Sequence, residues 1–72
     1  MHYYERLKQT REDLDLTQKE VADMMKTTQA QIWKYESGTQ RMTAEKLRQL
    51  CIIYHVSADY ILGLPRGLDW PR

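Results

Sequence analysis

The sequence predicts an all-α fold: a compact bundle of five helices over residues 1–63, followed by an irregular tail at residues 64–72. Three observations predict it. Apolar residues recur at three- and four-residue steps, and no run alternates polar with apolar as a strand would. Thr17, Thr28, Thr43 and Ser57, all residues that start helices, each stand just ahead of such a stretch. Gly38, Gly63 and Pro65 fall where those stretches end, as helix stops do.

Helix one is expected from about Tyr3 to Leu14. Tyr3, Leu7, Thr10, Arg11 and Leu14 share one stripe of a 3.6-residue period. Asp15 then ends it in a short bend. Helix two is expected from Gln18 to Met25. Thr17 and Glu20 form a capping box ahead of it, and Leu16 and Val21 have the spacing of a hydrophobic staple. Val21, Ala22 and Met25 face inward, and Met24 sits on the border between core and surface.

Helix three is expected from Gln29 to about Ser37, with Thr28 and Gln31 repeating the capping box. At about 100° per residue, Thr28, Ile32, Tyr35 and Glu36 fall on one side. Ala30, Trp33, Lys34 and Ser37 fall on the other, with Gln29 on the shoulder. The inner side is apolar except for Glu36. The outer side mixes an amide, a methyl, an indole and an ammonium, where a merely solvated face would carry glutamate–lysine pairs.

Thr43 caps helix four, with Glu45 in its first turn where the helix dipole favours an anion. Leu47, Leu50, Cys51 and Tyr54 form its inward stripe. Ser57 caps helix five, and Ala58, Ile61 and Leu62 point inward. The tail LPRGLDWPR holds two prolines and a glycine and cannot be helical. Its Trp70 either docks on the bundle or a partner, or shares the loose order usual at chain ends.

Two ionisable residues face inward. Arg11 lies on the stripe of helix one, and Glu36 is the one charge on the inner side of helix three. A charge directed at the core needs a partner. The two are therefore predicted to form an ion pair; the plain alternative is that both are solvated.

Two capped helices with almost nothing between them must cross steeply. This is the helix-turn-helix arrangement, whose second helix is pushed outward to enter a DNA major groove. The motifs L-T-Q-x-E-x-A, from Leu16, and T-x-x-x-I-x-x-Y-E-x-G, from Thr28, carry it further. With V-S-A-D-Y-I-L-G at Val56 to Gly63, they resemble the lambdoid-phage repressor and Cro family of DNA-binding domains, of the xenobiotic-response-element type. The resemblance covers Tyr3 to Gly63. It implies a regulator of transcription, of bacterial or phage type and more often a repressor. It matches Arg11 and Glu36 to the family's arginine–glutamate pair. It also implies that Gln18 touches phosphate and braces Gln29, and that Met42 and Tyr60 lie on a dimer surface. Lys26–Thr27 departs from the family's usual glycine and small apolar residue, which implies strain or a different turn.

Direct readout needs side chains that offer two hydrogen-bonding groups, or a methyl, to a base edge. Gln29 can donate to N7 and accept from N6 of an adenine, which carries about 1–3 kcal/mol of discrimination. Ala30 touches a thymine methyl or permits close approach. Lys34 reaches a guanine edge or a phosphate. Trp33 packs on sugar or a thymine methyl, or lies along the protein rim. Gln18 and Thr28 at helix starts, and Thr39, Gln40 and Arg41 in the loop after helix three, are candidates for phosphate. For Arg41 the alternative is an ordinary solvated charge.

Composition is permissive. The net charge is +1, so bulk charge announces no partner. Four cations stand against three anions from Gln18 to Arg41, and pairing Glu36 elsewhere would raise that face to about +2. One cysteine allows no internal disulfide and suits a reducing cytoplasm, and a DNA partner would place the chain with the nucleoid. No signal peptide or membrane span is visible. Cys51 and His55 lie one turn apart, but two ligands make no metal site. No nucleophile–base pair, cofactor motif or small-molecule sensor is visible, so neither an enzyme nor a cofactor is expected. The expected partner is double-stranded DNA with a palindromic operator, bound by a homodimer. The alternative is a protein-interaction module, such as an antitoxin-like partner, anchored by Trp33, Tyr60 and Trp70.

Overall fold

A computed structural model describes residues 1–65; the remainder of the tail, residues 66–72 with Trp70, lies outside the described residues. The described residues form α1 (Tyr3–Asp13), α2 (Gln18–Met24), α3 (Gln29–Glu36), α4 (Ala44–Tyr54) and α5 (Ala58–Leu62), with no strand among them. The hub is α1, which packs on α3, α4 and α5, while α2 packs on α3 and α4 on α5. The four most completely buried side chains are Leu7, Val21, Ile32 and Ile61. They come from α1, α2, α3 and α5, so each of those helices sends one anchor to a common centre. Burying such a side chain contributes about 1.5–3 kcal/mol. Ala22, Tyr35, Leu50, Cys51 and Tyr54 complete the core.

The helix starts follow from local chemistry. Thr17 accepts from the Glu20 amide at 3.0 Å, and the Glu20 carboxylate accepts from the Thr17 amide at 2.9 Å, a complete capping box. Thr28, Thr43 and Ser57 each accept from the amide three residues on. The second box is only half made. Gln31 does not reach back to Thr28 but donates to Gln40 Oε1 at 3.0 Å. Thr28 itself is exposed at the cap and forms no part of the inner wall of α3.

Four of the five helix ends share one device. Asp15, Lys26, His55 and Gly63 all adopt left-handed φ, at 57°, 56°, 56° and 68°. In each case the following amide reaches back five residues: Leu16 to Arg11 O, Thr27 to Ala22 O, Val56 to Cys51 O, Leu64 to Asp59 O. These bonds satisfy carbonyls that a helix end leaves free. The Lys26 turn is thus an ordinary left-handed closure made with a strained residue.

Periodicity misjudged two edges. Leu14 and Leu62, expected inward, are 47% and 46% exposed. Leu14 is the C-cap of α1 and Leu62 the last residue of α5, and at such ends the side chain is only partly covered. Met24, left on the border between core and surface by the sequence, is exposed. The remaining stripe positions Tyr3, Met25, Leu47 and Ala58 are partly buried against the core.

Candidate nucleic-acid interface

The site begins behind α3, where the sequence placed a carboxylate inward. Arg11 Nε donates to Glu36 Oε2 at 2.7 Å, and Arg11 Nη2 to Glu36 Oε1 at 3.1 Å. This is a two-pronged guanidinium–carboxylate pair, the strongest geometry for such ions. Arg11 Nη1 also donates to the Leu16 carbonyl at 2.7 Å, and Gln18 Nε2 donates to Glu36 Oε1 at 3.0 Å. The ion pair therefore ties together α1, the loop before α2, the first residue of α2 and the end of α3. The Glu36 carboxylate raises the pKa of Arg11 above its ordinary value, more than desolvation lowers it. Tyr54 is buried beside this pair, and burial pushes its phenol well above the usual range, with the Glu36 charge adding to the effect.

With its inner side held, α3 presents Gln29, Ala30, Trp33 and Lys34 to solvent. Trp33 is 54% exposed. Its covered part lines a small cleft with Lys8, Gln18, Glu36 and Ser37. The indole is thus braced on the rim while the remainder faces outward. Gln18 forms no hydrogen bond with Gln29 among the described residues; its amide is turned toward Glu36.

Lys8 was missed by sequence reasoning. A signal for it existed. It lies three residues before Arg11 and is its neighbour on the helix surface. Once Arg11 meets the end of α3, Lys8 must stand beside that end. It adds an exposed ammonium next to Trp33 and Gln18.

On the other flank, Thr39, Gln40 and Arg41 are exposed in the loop after α3. Gly38 opens this loop with φ 76°, and the Tyr4 ring lies against it. Ser37 Oγ and Thr39 Oγ1 stand 2.8 Å apart. Met42 is half-buried in an apolar groove with Tyr3, Leu47 and Leu62. Tyr60, exposed on α5, takes the Arg6 guanidinium over its ring at 5.7 Å, and its carbonyl accepts from Arg6 Nη1 at 3.1 Å. Cys51 is buried, which pushes its thiol pKa up, and His55 is exposed. Among the described residues no three His, Cys, Asp or Glu side chains gather into a metal-holding group, and no helix is long and apolar enough to cross a membrane.

A buried brace behind a short, outward-facing second helix of a capped pair is the helix-turn-helix design. The chain belongs to the helix-turn-helix domain family of the xenobiotic-response-element type, which it matches over residues 4–65. Among curated proteins it is similar to the uncharacterized HTH-type transcriptional regulator YobD of Bacillus subtilis (strain 168), with 36% identity over 67 residues. The match covers 93% of this chain and 60% of that relative, so the chain spans about three fifths of the relative's length.

Proposed function

We propose that this chain is a sequence-specific, double-stranded DNA-binding regulator of transcription, with α3 as the helix that enters the major groove. The observation that carries the reading is the contrast between the two sides of α3. Its inner side is locked by the Arg11–Glu36 pair, while Gln29, Ala30, Trp33 and Lys34 stand free outside. Gln29 occupies the first helical position, where the groove floor is nearest. It reads a base edge with its amide, Ala30 and Trp33 make apolar contact, and Lys34 supplies a cation to a guanine or a phosphate. Gln18, Thr28, Thr39, Gln40 and Arg41 grip the two flanking stretches of backbone, and Lys8 adds to the first of them. The description of YobD as a transcriptional regulator supports the same reading.

One domain of this size makes few contacts, so useful affinity calls for two copies on half-sites about one helical turn apart. Met42 and Tyr60 are the residues proposed for that contact. Repression, by occluding a promoter, is the simplest regulatory outcome for a domain of this kind.

Selection from a pool of random duplexes tests the reading, with an enriched palindrome as the expected result. On the selected duplex, Gln29→Ala should cost about 1–3 kcal/mol and relax discrimination at one base pair. Should Lys34 grip a phosphate, Lys34→Ala should lower the slope of log affinity against log salt by about 1. Full-strength, unchanged binding by both variants would remove α3 from the interface.

A further inference from the structure

The loop after α3 is stitched to the helix rather than hanging from it. The Gln40 backbone amide donates to the Lys34 carbonyl at 3.2 Å, and Ser37 Oγ donates to the same carbonyl at 3.3 Å. Across the gap, Gln31 Nε2 donates to Gln40 Oε1 at 3.0 Å. Gln31 is half-buried in the first turn of α3, on the flank between the inner wall and the outward row, so it is aimed at the loop.

We propose that Gln31 is a positioning residue that acts on DNA through Gln40. By occupying the amide oxygen of Gln40, it leaves that side chain only its two N–H donors to present to a backbone phosphate beside the recognition helix. The inference rests on the DNA-binding reading above. Phosphate oxygens accept hydrogen bonds and never donate them. A glutamine amide has one donating end and one accepting end. Left free, it can offer phosphate the wrong end, and it loses rotamer freedom when it settles on the right one. Held by Gln31, it is already turned the productive way. The clasp also couples two tasks, because Gln31 is on the helix that carries Gln29 and Lys34. The phosphate grip and the base-reading row therefore move as one body.

The test is a double-mutant cycle of Gln31→Met, Gln40→Met and the pair, measured by fluorescence anisotropy. Two short duplexes are used: the tightest binder recovered from a random pool, and a shuffled duplex of the same composition. Gln40→Met should weaken binding to both duplexes about tenfold or more, as expected for a lost hydrogen bond to a charged group, and Gln31→Met should weaken it by a smaller factor, because it frees the Gln40 amide without removing it. The pair should be no weaker than Gln40→Met alone, because Gln31 acts only through the Gln40 amide. The ratio between the two duplexes should hold constant, since phosphates carry no sequence. Circular dichroism confirms folding, and if Gln31→Met fails to fold, Gln31→Ala carries the same cycle. Parent-like binding by the Gln31 variant, or losses that multiply in the pair, would overturn the proposal. A parent chain that binds neither duplex at low ionic strength would instead overturn the DNA-binding reading, and this inference with it.

Discussion

Arg11 Nε and Glu36 Oε2 stand 2.7 Å apart, joining α1 to the end of α3, with side chains only 10% and 6% exposed. The pair is the point at which the stability of the bundle and the aim of its third helix meet. Each ion has other obligations: Arg11 to the Leu16 carbonyl, and Glu36 to the Gln18 amide.

Removing one partner leaves the other charge buried and alone, which costs about 3–5 kcal/mol. A domain of this length holds roughly 4–10 kcal/mol in all. Arg11→Met and Glu36→Met are therefore expected to lose most of their stability, read as the urea midpoint of the helical signal. The double variant Arg11→Met/Glu36→Met should recover most of what either single change loses, because no charge is stranded. A double variant weaker than both singles would show that the ions are worth more than their desolvation.

Tyr54 sets an alkaline limit. Its pKa is raised in the fold by burial first and by the Glu36 charge second. The native state thus keeps a proton that the unfolded chain releases near pH 10. The contribution is fully present below that pH and declines above it, by about 1.4 kcal/mol per pH unit. The buried Cys51 thiol, also raised, adds a decline from about pH 8.5. Chemical denaturation from pH 7 to 11 should show both, and Tyr54→Phe should remove the steeper part alone. The raised pKa of Arg11 contributes below its unfolded value and is lost only above it, beyond this window.

Gly38 is constrained twice. Its φ is 76°, and a Cβ there would stand 2.6 Å from Tyr4 Cζ. Gly38→Ala should cost about 1–3 kcal/mol, combining the left-handed backbone with the overlap. Tyr4→Ala in the same chain should return the steric part and leave the backbone part. If Gly38→Ala alone melts with the parent, the ring yields freely and the close approach has no energetic weight.

Lys26 is the opposite case, a side chain where glycine would be easier. Its φ of 56° costs about 1–2 kcal/mol in a non-glycine residue. Glycine relieves that but gives back about 0.5–1 kcal/mol through the freedom it adds to the unfolded chain. Lys26→Gly is expected to raise stability by about 0.5–1 kcal/mol, visible as a higher thermal midpoint. A lower midpoint would mean that the lysine stem contributes packing not evident from its exposure.

The sequence by itself determined where each helix begins and which residues anchor it. A threonine or serine cap acts on amides three residues away, and the period of the apolar positions is a property of the chain alone. That is why Thr17, Thr43 and Ser57 behaved as read, and why Leu7, Val21, Ile32 and Ile61 meet at the centre. The outward row of α3 was legible for the same reason. Only the tertiary structure decided what lies across a gap. Leu14 and Leu62 are exposed because they stand at helix ends, where the bundle covers them only in part. Gln31 prefers a loop amide to its own cap because α3 and the loop fold onto each other. Lys8 joins Trp33 and Gln18 because α1 crosses the end of α3. Such meetings depend on how helices cross, and crossing angles come from many small contacts summed over the whole bundle rather than from any one stretch of chain.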